Sequence, residues 1–146
     1  RAHGSRMPDQ GYEFFEHTAD TGLIARGTTL AELFVHAAQG MVEILVEHSE
    51  VDPRAQRVVA LRAASVEALL HAWLSELLTW FDVERFVPSH YELGTVTETQ
   101  LDGRVSGDRF DASRHASGVE VKGITRHQFS VEHTPTHWQA RIIFDV

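Results

Sequence analysis

The chain has 146 residues, of which 42% are apolar and 23% charged, enough for one domain with a buried core. Its formal net charge of −8 argues against strong direct binding to nucleic acids, because that affinity comes from Lys and Arg side chains that neutralise phosphates. The charge favours a cation or a basic protein partner instead. The absence of cysteine excludes disulfides, thiolate metal sites and a cysteine nucleophile, and it suits the cytoplasm.

The beginning of the chain is predicted to comprise a short non-native extension and a pair of strands. Arg1 to Arg6 resemble a remnant of cloning, and we expect residues 7–146 to form a single domain. Two extended segments, 12–17 and 23–25, are predicted, with a tight connection between them at 18–22. No apolar run in the chain approaches the roughly 18 residues of a membrane helix, so we expect no membrane partner.

Two amphipathic helices are predicted from apolar residues that recur at helical spacing. The first begins after Thr29, which forms a capping box with Glu32, and ends near His48. The second begins after Ser65 and ends near Val83. Its wide apolar stripe predicts that it is largely buried.

The remaining segments are predicted to be strands. One strand, 57–61, lies between the helices, and five alternating segments follow the second helix. These segments are 86–99, 103–111, 118–125, 127–133 and 137–146. Two helices and seven or eight strands imply a single α+β domain of two layers, with the helices packed on a mainly antiparallel sheet.

Acidic residues near the two ends of the chain are the candidate site. Asp20 lies in the predicted turn, and Asp145 is the penultimate residue of the last predicted strand, where Val146 adds the terminal carboxylate. If the first and last strands are neighbours, these oxygen donors converge and suit Ca²⁺, Mg²⁺ or Mn²⁺ better than zinc. Alternatively, Asp20 is an ordinary turn residue and Asp145 an ordinary solvent-facing strand residue.

Four short segments, in the same order along the chain, resemble the motifs of the archease family. They are HTADTG at 17–22 with the helix that follows, AWLSELL at 72–78, VKGITRH at 121–127 and IIFDV at 142–146. The resemblance extends from about Tyr12 to Val146. Three residues depart from the family pattern, and none of them removes a carboxylate. They are Thr21, Gly123 and Arg126, of which Arg126 could alter the surface that faces a partner.

The resemblance implies tandem strand–helix–strand–strand modules fused into one domain. It also implies a role as an accessory protein for an RtcB-type RNA ligase, which joins 3′-phosphate and 5′-hydroxyl ends in tRNA splicing and RNA repair. Archeases promote guanylylation of the ligase histidine and multiple turnover. The family's metal ligands fall on Asp20, Asp145 and Val146, and its important lysine falls on Lys122. The expected ion is Ca²⁺ in vitro, with Mg²⁺ or Mn²⁺ as alternatives, and no residue of the chain is expected to be catalytic.

Four further residues are candidates for supporting this site or for contacting the partner. His17 could hydrogen-bond Asp20 from behind, or simply begin the turn. Thr18 could do no more than cap a backbone N–H. Lys122 could pair with a carboxylate, present its charge to the nucleotide of the partner, or be an edge-strand lysine. His127 is the fourth of these residues.

Two other functions remain open from the sequence. A small metal-dependent hydrolase could use the same carboxylates, with His17 or His127 as general base, although no P-loop or nucleophile elbow is present. A small-ligand or nucleic-acid binding module is disfavoured by the negative charge and by the lack of aromatics interleaved with basic residues. The sequence leaves open the physiological cation, the oligomeric state and the face that meets the ligase.

Overall fold

The computed structural model describes residues 11–17, 20–47 and 50–146, and for Glu16 and His17 it describes only the main chain. Two helices and nine strands occur in these ranges. They are β1 Tyr12–His17, β2 Asp20–Gly27, α1 Leu30–Leu45, β3 Val46–Glu47, β4 Ala55–Arg62, α2 Val66–Glu84, β5 Phe86–Val96, β6 Gln100–Arg109, β7 Ala116–Ser117, β8 Gly123–His133 and β9 Trp138–Asp145. Neither helix offers an apolar stretch long enough to cross a bilayer.

The strands form two antiparallel sheets and a short ribbon. The larger sheet has the order β1-β2-β9-β8, the smaller one has the order β4-β6-β5, and β3 pairs with β7. The predicted α+β class, with two helices on antiparallel sheet, is confirmed. Elements β2-α1-β8-β9 make one strand–helix–strand–strand module, and β4-α2-β5-β6 make a second one with the same strand order. The second module is inserted between α1 and β8, so the two modules are nested rather than consecutive.

Both helices begin at the predicted caps. The Thr29 hydroxyl accepts a hydrogen bond from the Glu32 N–H at 3.1 Å, and the Ser65 hydroxyl accepts one from the Ala68 N–H at 3.1 Å. The Glu32 carboxylate reaches back mainly to Thr28. Hydrogen bonds from the Thr28 hydroxyl and main-chain N–H lower the pKa of Glu32. Helix α1 ends at Leu45, before the predicted His48, which lies outside the described residues, and α2 ends one residue later than predicted.

Each helix contacts strands of both sheets, and the two helices share one core. The largest fully buried side chains come from both modules, and they include Phe34 of α1, Trp73 of α2, Phe86 of β5 and Phe144 of β9. On α2, His71 Nε2 lies 2.9 Å from the main-chain oxygen of Ile124 in β8. The side chain of His71 therefore links α2 to the larger sheet by a hydrogen bond.

The predicted strand pattern is wrong at the start of β2 and in β8. Asp20–Gly22 were expected in a turn, but they belong to β2, because they pair with β1 on one side and with β9 on the other. Segments 118–125 and 127–133 were expected as separate strands, but β8 is a single strand whose register shifts between Thr125 and Ser130. Gln128 has a left-handed φ of 58° inside this irregularity. Residues 118–122 belong to no strand. The alternating apolar residues there are Val119 and Val121, and only Val121 is buried in the core, whereas Val119 is exposed.

Candidate metal centre

Asp20 and Asp145 are direct cross-strand partners. They form the terminal register pair between β2 and β9, in a row that continues to His17 on β1 and Gly123 on β8. Side chains directly opposite each other in an antiparallel pair project from the same face, with Cβ atoms about 4.5–5.5 Å apart. The fold thus brings together two carboxylates that are 125 positions apart in the sequence.

The two aspartates lie on the face of the larger sheet that points away from the helices. Leu23 and Ala25 of β2, at odd positions, are fully buried in the core, and so are Ile142 and Phe144 of β9. Because side chains alternate along a strand, Asp20 and Asp145 project to the opposite side. Asp145 is exposed and Asp20 is partly exposed. Like charges directly opposite each other are unfavourable, which makes this end of the sheet a favourable position for a cation.

The main chain around Asp145 is held on two sides. The Lys122 N–H donates a 2.7 Å hydrogen bond to the Asp145 carbonyl oxygen. The Val146 side chain is partly buried and packs against the core. Val146, which follows Asp145 in the chain, is therefore anchored.

The four supporting residues predicted from the sequence differ in how close they lie to this row. Lys122 is exposed and precedes Gly123, the partner of Asp145 on β8. The main chain of His17 is opposite Asp20, but its side chain lies outside the described residues, as does all of Thr18. His127 lies in the irregular part of β8, where its N–H donates to the Thr125 hydroxyl at 3.0 Å. The structure does not bring His127 into the aspartate row.

The chemistry of the donors fits a hard divalent cation. Within the described ranges, no three side chains of His, Asp or Glu are grouped so that they could hold a metal ion. The predicted donor set therefore needs a main-chain carboxylate on Val146 as its third member. Carboxylate oxygens alone suit Ca²⁺, Mg²⁺ or Mn²⁺, whereas structural zinc is bound mostly by cysteine and histidine. The pairing of Asp20 with Asp145 brings two of these three ligands together, and the three-ligand site stays a prediction.

A second charged cluster, which the sequence did not lead us to expect, follows β6. The Arg114 guanidinium donates to Asp111 at 3.2 Å and to Asp108 at 3.1 Å. Hydrogen bonds from the Ser113 hydroxyl and N–H, together with Arg114, lower the pKa of Asp111 to about 2. Partial burial raises the pKa of Asp108, but hydrogen bonds from Arg114 and the Arg109 N–H outweigh it and hold this pKa below its usual range. The turn sequence Asp-Ala-Ser-Arg at 111–114 is the signal that could have identified it.

A cleft of about 480 Å³ lies between α1 and the start of β5. Its lining mixes apolar walls with polar groups, among them Glu43, Ser89, His90 and Tyr91. Burial raises the pKa of the Tyr91 hydroxyl, so this phenol stays neutral. None of the residues predicted from the sequence to form the site lines this cleft.

Comparisons with known proteins identify a family and several relatives of this chain. The profile of a family described as "Archease protein family (MTH1598/TM1083)" matches residues 12–146. Protein archease of Methanosarcina acetivorans is 34% identical, and the match covers 96% of this chain and 100% of the relative. Protein archease of Saccharolobus islandicus is 36% identical over 138 aligned residues, covering 94% of this chain and 99% of the relative.

Two solved structures share the fold. The solution structure of Methanobacterium thermoautotrophicum protein 1598 superposes with a TM-score of 0.80 at 31% identity, covering 94% of this chain and 99% of that one. The crystal structure of an "archease, possible chaperone" from Thermotoga maritima superposes with a TM-score of 0.65, covering 90% and 94%. At 16% identity, the second likeness shows the fold alone.

The nested modules place the chain among small α+β proteins built from two strand–helix–strand–strand units. The family profile and the relatives narrow this class to one family. The chain belongs to the archease family.

Proposed function

We propose that this archease is an accessory protein that activates an RtcB-type RNA ligase in the cytoplasm. In this proposal it promotes guanylylation of the ligase histidine and multiple turnover during tRNA splicing and RNA repair, and it performs no chemistry of its own. A divalent cation is held by Asp20, Asp145 and the carboxylate of Val146. Ca²⁺ is the ion we expect in vitro, with Mg²⁺ or Mn²⁺ as alternatives.

The register pairing of Asp20 with Asp145 is the observation that carries the proposal. Their carboxylates start from adjacent strands on one exposed sheet face, and the next residue in the chain is anchored on the core. When bound, a divalent ion would neutralise these carboxylates and order the chain end. Lys122 is exposed beside the row, where its ammonium group can present positive charge to a partner.

A role as a helper for another protein also agrees with the charge of the chain. The net charge of −8 disfavours direct binding to RNA and favours contact with a basic surface. The Thermotoga maritima protein, which shares the fold, is described as a possible chaperone. We extend that description to this chain as part of the proposal.

A ligation assay tests the proposal. Purified RtcB-type ligase joins a 3′-phosphate RNA to a 5′-hydroxyl RNA with and without this protein, under multiple-turnover conditions. We expect stimulation by the wild type and loss of it in Asp20→Ala, in Asp145→Ala and in a variant with one residue added after Val146. Glu98→Ala is the matched control, because Glu98 is an exposed acid in the turn between β5 and β6. Full stimulation by all three site variants would remove the proposal.

The same purified proteins, assayed without the ligase, distinguish the accessory role from that of a metal-dependent hydrolase. In the accessory role, the protein alone with Mn²⁺ turns over no phosphoester substrate. Turnover by the protein alone that disappears in Asp145→Ala would support the hydrolase instead.

A further inference from the structure

Residues 116–122, which we name the linking segment, connect the end of α1 to the aspartate row. At its start, β7 pairs with β3 directly after α1. The Gly118 N–H then donates to the Leu45 carbonyl at 2.9 Å, and the Val119 N–H donates to the Ile44 carbonyl at 2.8 Å. These bonds use carbonyl oxygens of the last helical turn, which have no partner inside a helix.

Gly118 is the point of closest approach between the linking segment and α1. A Cβ atom at this position would lie 2.1 Å from the Ile44 carbonyl oxygen and 3.0 Å from the Leu45 carbonyl carbon. Both atoms belong to the backbone, so relief requires movement of the linking segment or of the helix end. The Gly118 φ is not in the left-handed region, so the need for glycine here is one of space.

The far end of the linking segment is joined to the aspartate row. Val121 is 2% exposed and belongs to the core. The next residue, Lys122, donates its N–H to the Asp145 carbonyl at 2.7 Å. Three residues, 119–121, therefore connect the contact at Gly118 to the hydrogen bond at Asp145, and the last of the three is buried in the core.

We propose that the linking segment is a positioning element for the metal centre, in which Gly118 and the Lys122 N–H act through the backbone of Asp145. This inference rests on the proposed function, because it assumes that the aspartate row binds a cation. It assigns Lys122 two separable roles, one for its main-chain N–H and one for its side chain. It also assigns a role to Gly118, which belongs to none of the segments that resemble the family motifs.

Mn²⁺ binding, followed by electron paramagnetic resonance on the purified full chain, tests this proposal without a ligase. We expect Gly118→Ala to weaken Mn²⁺ binding about tenfold, the scale on which residues behind metal ligands act. Gly107→Ala is the matched control, because a Cβ there would lie 2.0 Å from the Val87 carbonyl oxygen, inside the inserted module. It should destabilise the protein to a similar degree and leave Mn²⁺ affinity unchanged.

The outcomes separate this inference from the proposed function. Absence of Mn²⁺ binding by the wild type would overturn both. Binding by the wild type with the same affinity in Gly118→Ala, or an equal loss in Gly118→Ala and Gly107→Ala, would overturn the positioning role alone.

Hydrogen exchange on the wild type provides a test that does not depend on a variant folding. Exchange read by mass spectrometry should slow in the peptide covering 116–122 when Ca²⁺ is added. A bound ion orders Asp145, and the hydrogen bond from the Lys122 N–H to the Asp145 carbonyl then opens less often. Peptides from β4 and β6, which belong to the smaller sheet and not to the sheet that carries the aspartate row, should show no change. Unchanged exchange of the linking segment at saturating Ca²⁺ would contradict the proposal.

Discussion

The indole N–H of Trp73 on α2 donates a 2.9 Å hydrogen bond to the main-chain carbonyl of Phe34 on α1. Both side chains are fully buried, and the two helices belong to different modules. A buried polar contact of this kind fixes how the modules pack, because the indole N–H has no alternative partner in an apolar core. The nested arrangement therefore relies on this contact as well as on apolar packing.

Trp73→Phe should lower the free energy of unfolding more than Trp80→Phe does. Both changes remove the same ring atoms, and Trp80 is also buried, but within the described residues only Trp73 donates an indole hydrogen bond. We expect an additional loss of about 1 kcal/mol in Trp73→Phe from the missing bond. Urea denaturation of both variants measures the difference, and equal losses would mean that the hydrogen bond adds nothing to packing.

Gly22→Ala should destabilise the protein by about 1–3 kcal/mol, the usual cost of overpacking. A Cβ atom at Gly22 would lie 2.2 Å from the Phe15 ring, over which the Arg141 guanidinium is centred at 4.3 Å. Gly123→Ala is the matched change, because a Cβ at Gly123 meets nothing within 4 Å. Thermal unfolding should show a lower Tm for the first variant only. An unchanged Tm in Gly22→Ala would mean that the Phe15 ring is free to move aside.

The helices and their caps could be predicted because their signals are local. Thr29 and Ser65 cap backbone N–H groups only three residues away, and the apolar spacing that follows each cap is visible in the sequence itself. The nested order of the modules has no local signal. It depends on the pairing of β2 with β9, whose residues are separated by almost the whole chain.

The candidate site also has one part that the sequence predicts and another that depends on the pairing of distant strands. The types of the acidic residues suggested a cation, but only the register between β2 and β9 decides whether Asp20 meets Asp145. A slip of one position would move one aspartate to the opposite face. The role of Gly118 could not be read from the sequence, because the Ile44 carbonyl that excludes a side chain there is remote along the chain.

Acid should destabilise this protein partly through the cluster around Arg114. The pKa of Asp111 in the folded protein is about 2, below that of an unfolded Asp, so the unfolded state binds more protons between the two values. The contribution is therefore fully present above about pH 5 and is lost as the pH falls toward 2. Asp108, whose folded pKa is also lowered, adds to the same loss.

Asp111→Asn should reduce this dependence on pH, because its side chain cannot take up a proton in that range. Urea unfolding at intervals between pH 5 and pH 2 should give a shallower fall in stability for Asp111→Asn than for the wild type. Glu98→Gln, in an exposed turn, is the control and should keep the slope of the wild type. A slope that Asp111→Asn leaves unchanged would mean that the Arg114 cluster does not govern acid unfolding.

Asp145→Asn should separate the effect of charge repulsion from that of metal binding. Without divalent ions, removal of one of two directly opposed carboxylates should leave the protein at least as stable as the wild type. At a Ca²⁺ concentration 100 times its dissociation constant, the wild type should gain about 2.7 kcal/mol, and a chelator should reverse that gain. Asp145→Asn should gain much less at the same concentration, since it has lost a charged ligand. Unfolding curves of the wild type and of Asp145→Asn, each with Ca²⁺ and with chelator, measure these stabilities. Equal gains from Ca²⁺ in both proteins would place the cation away from the aspartate pair.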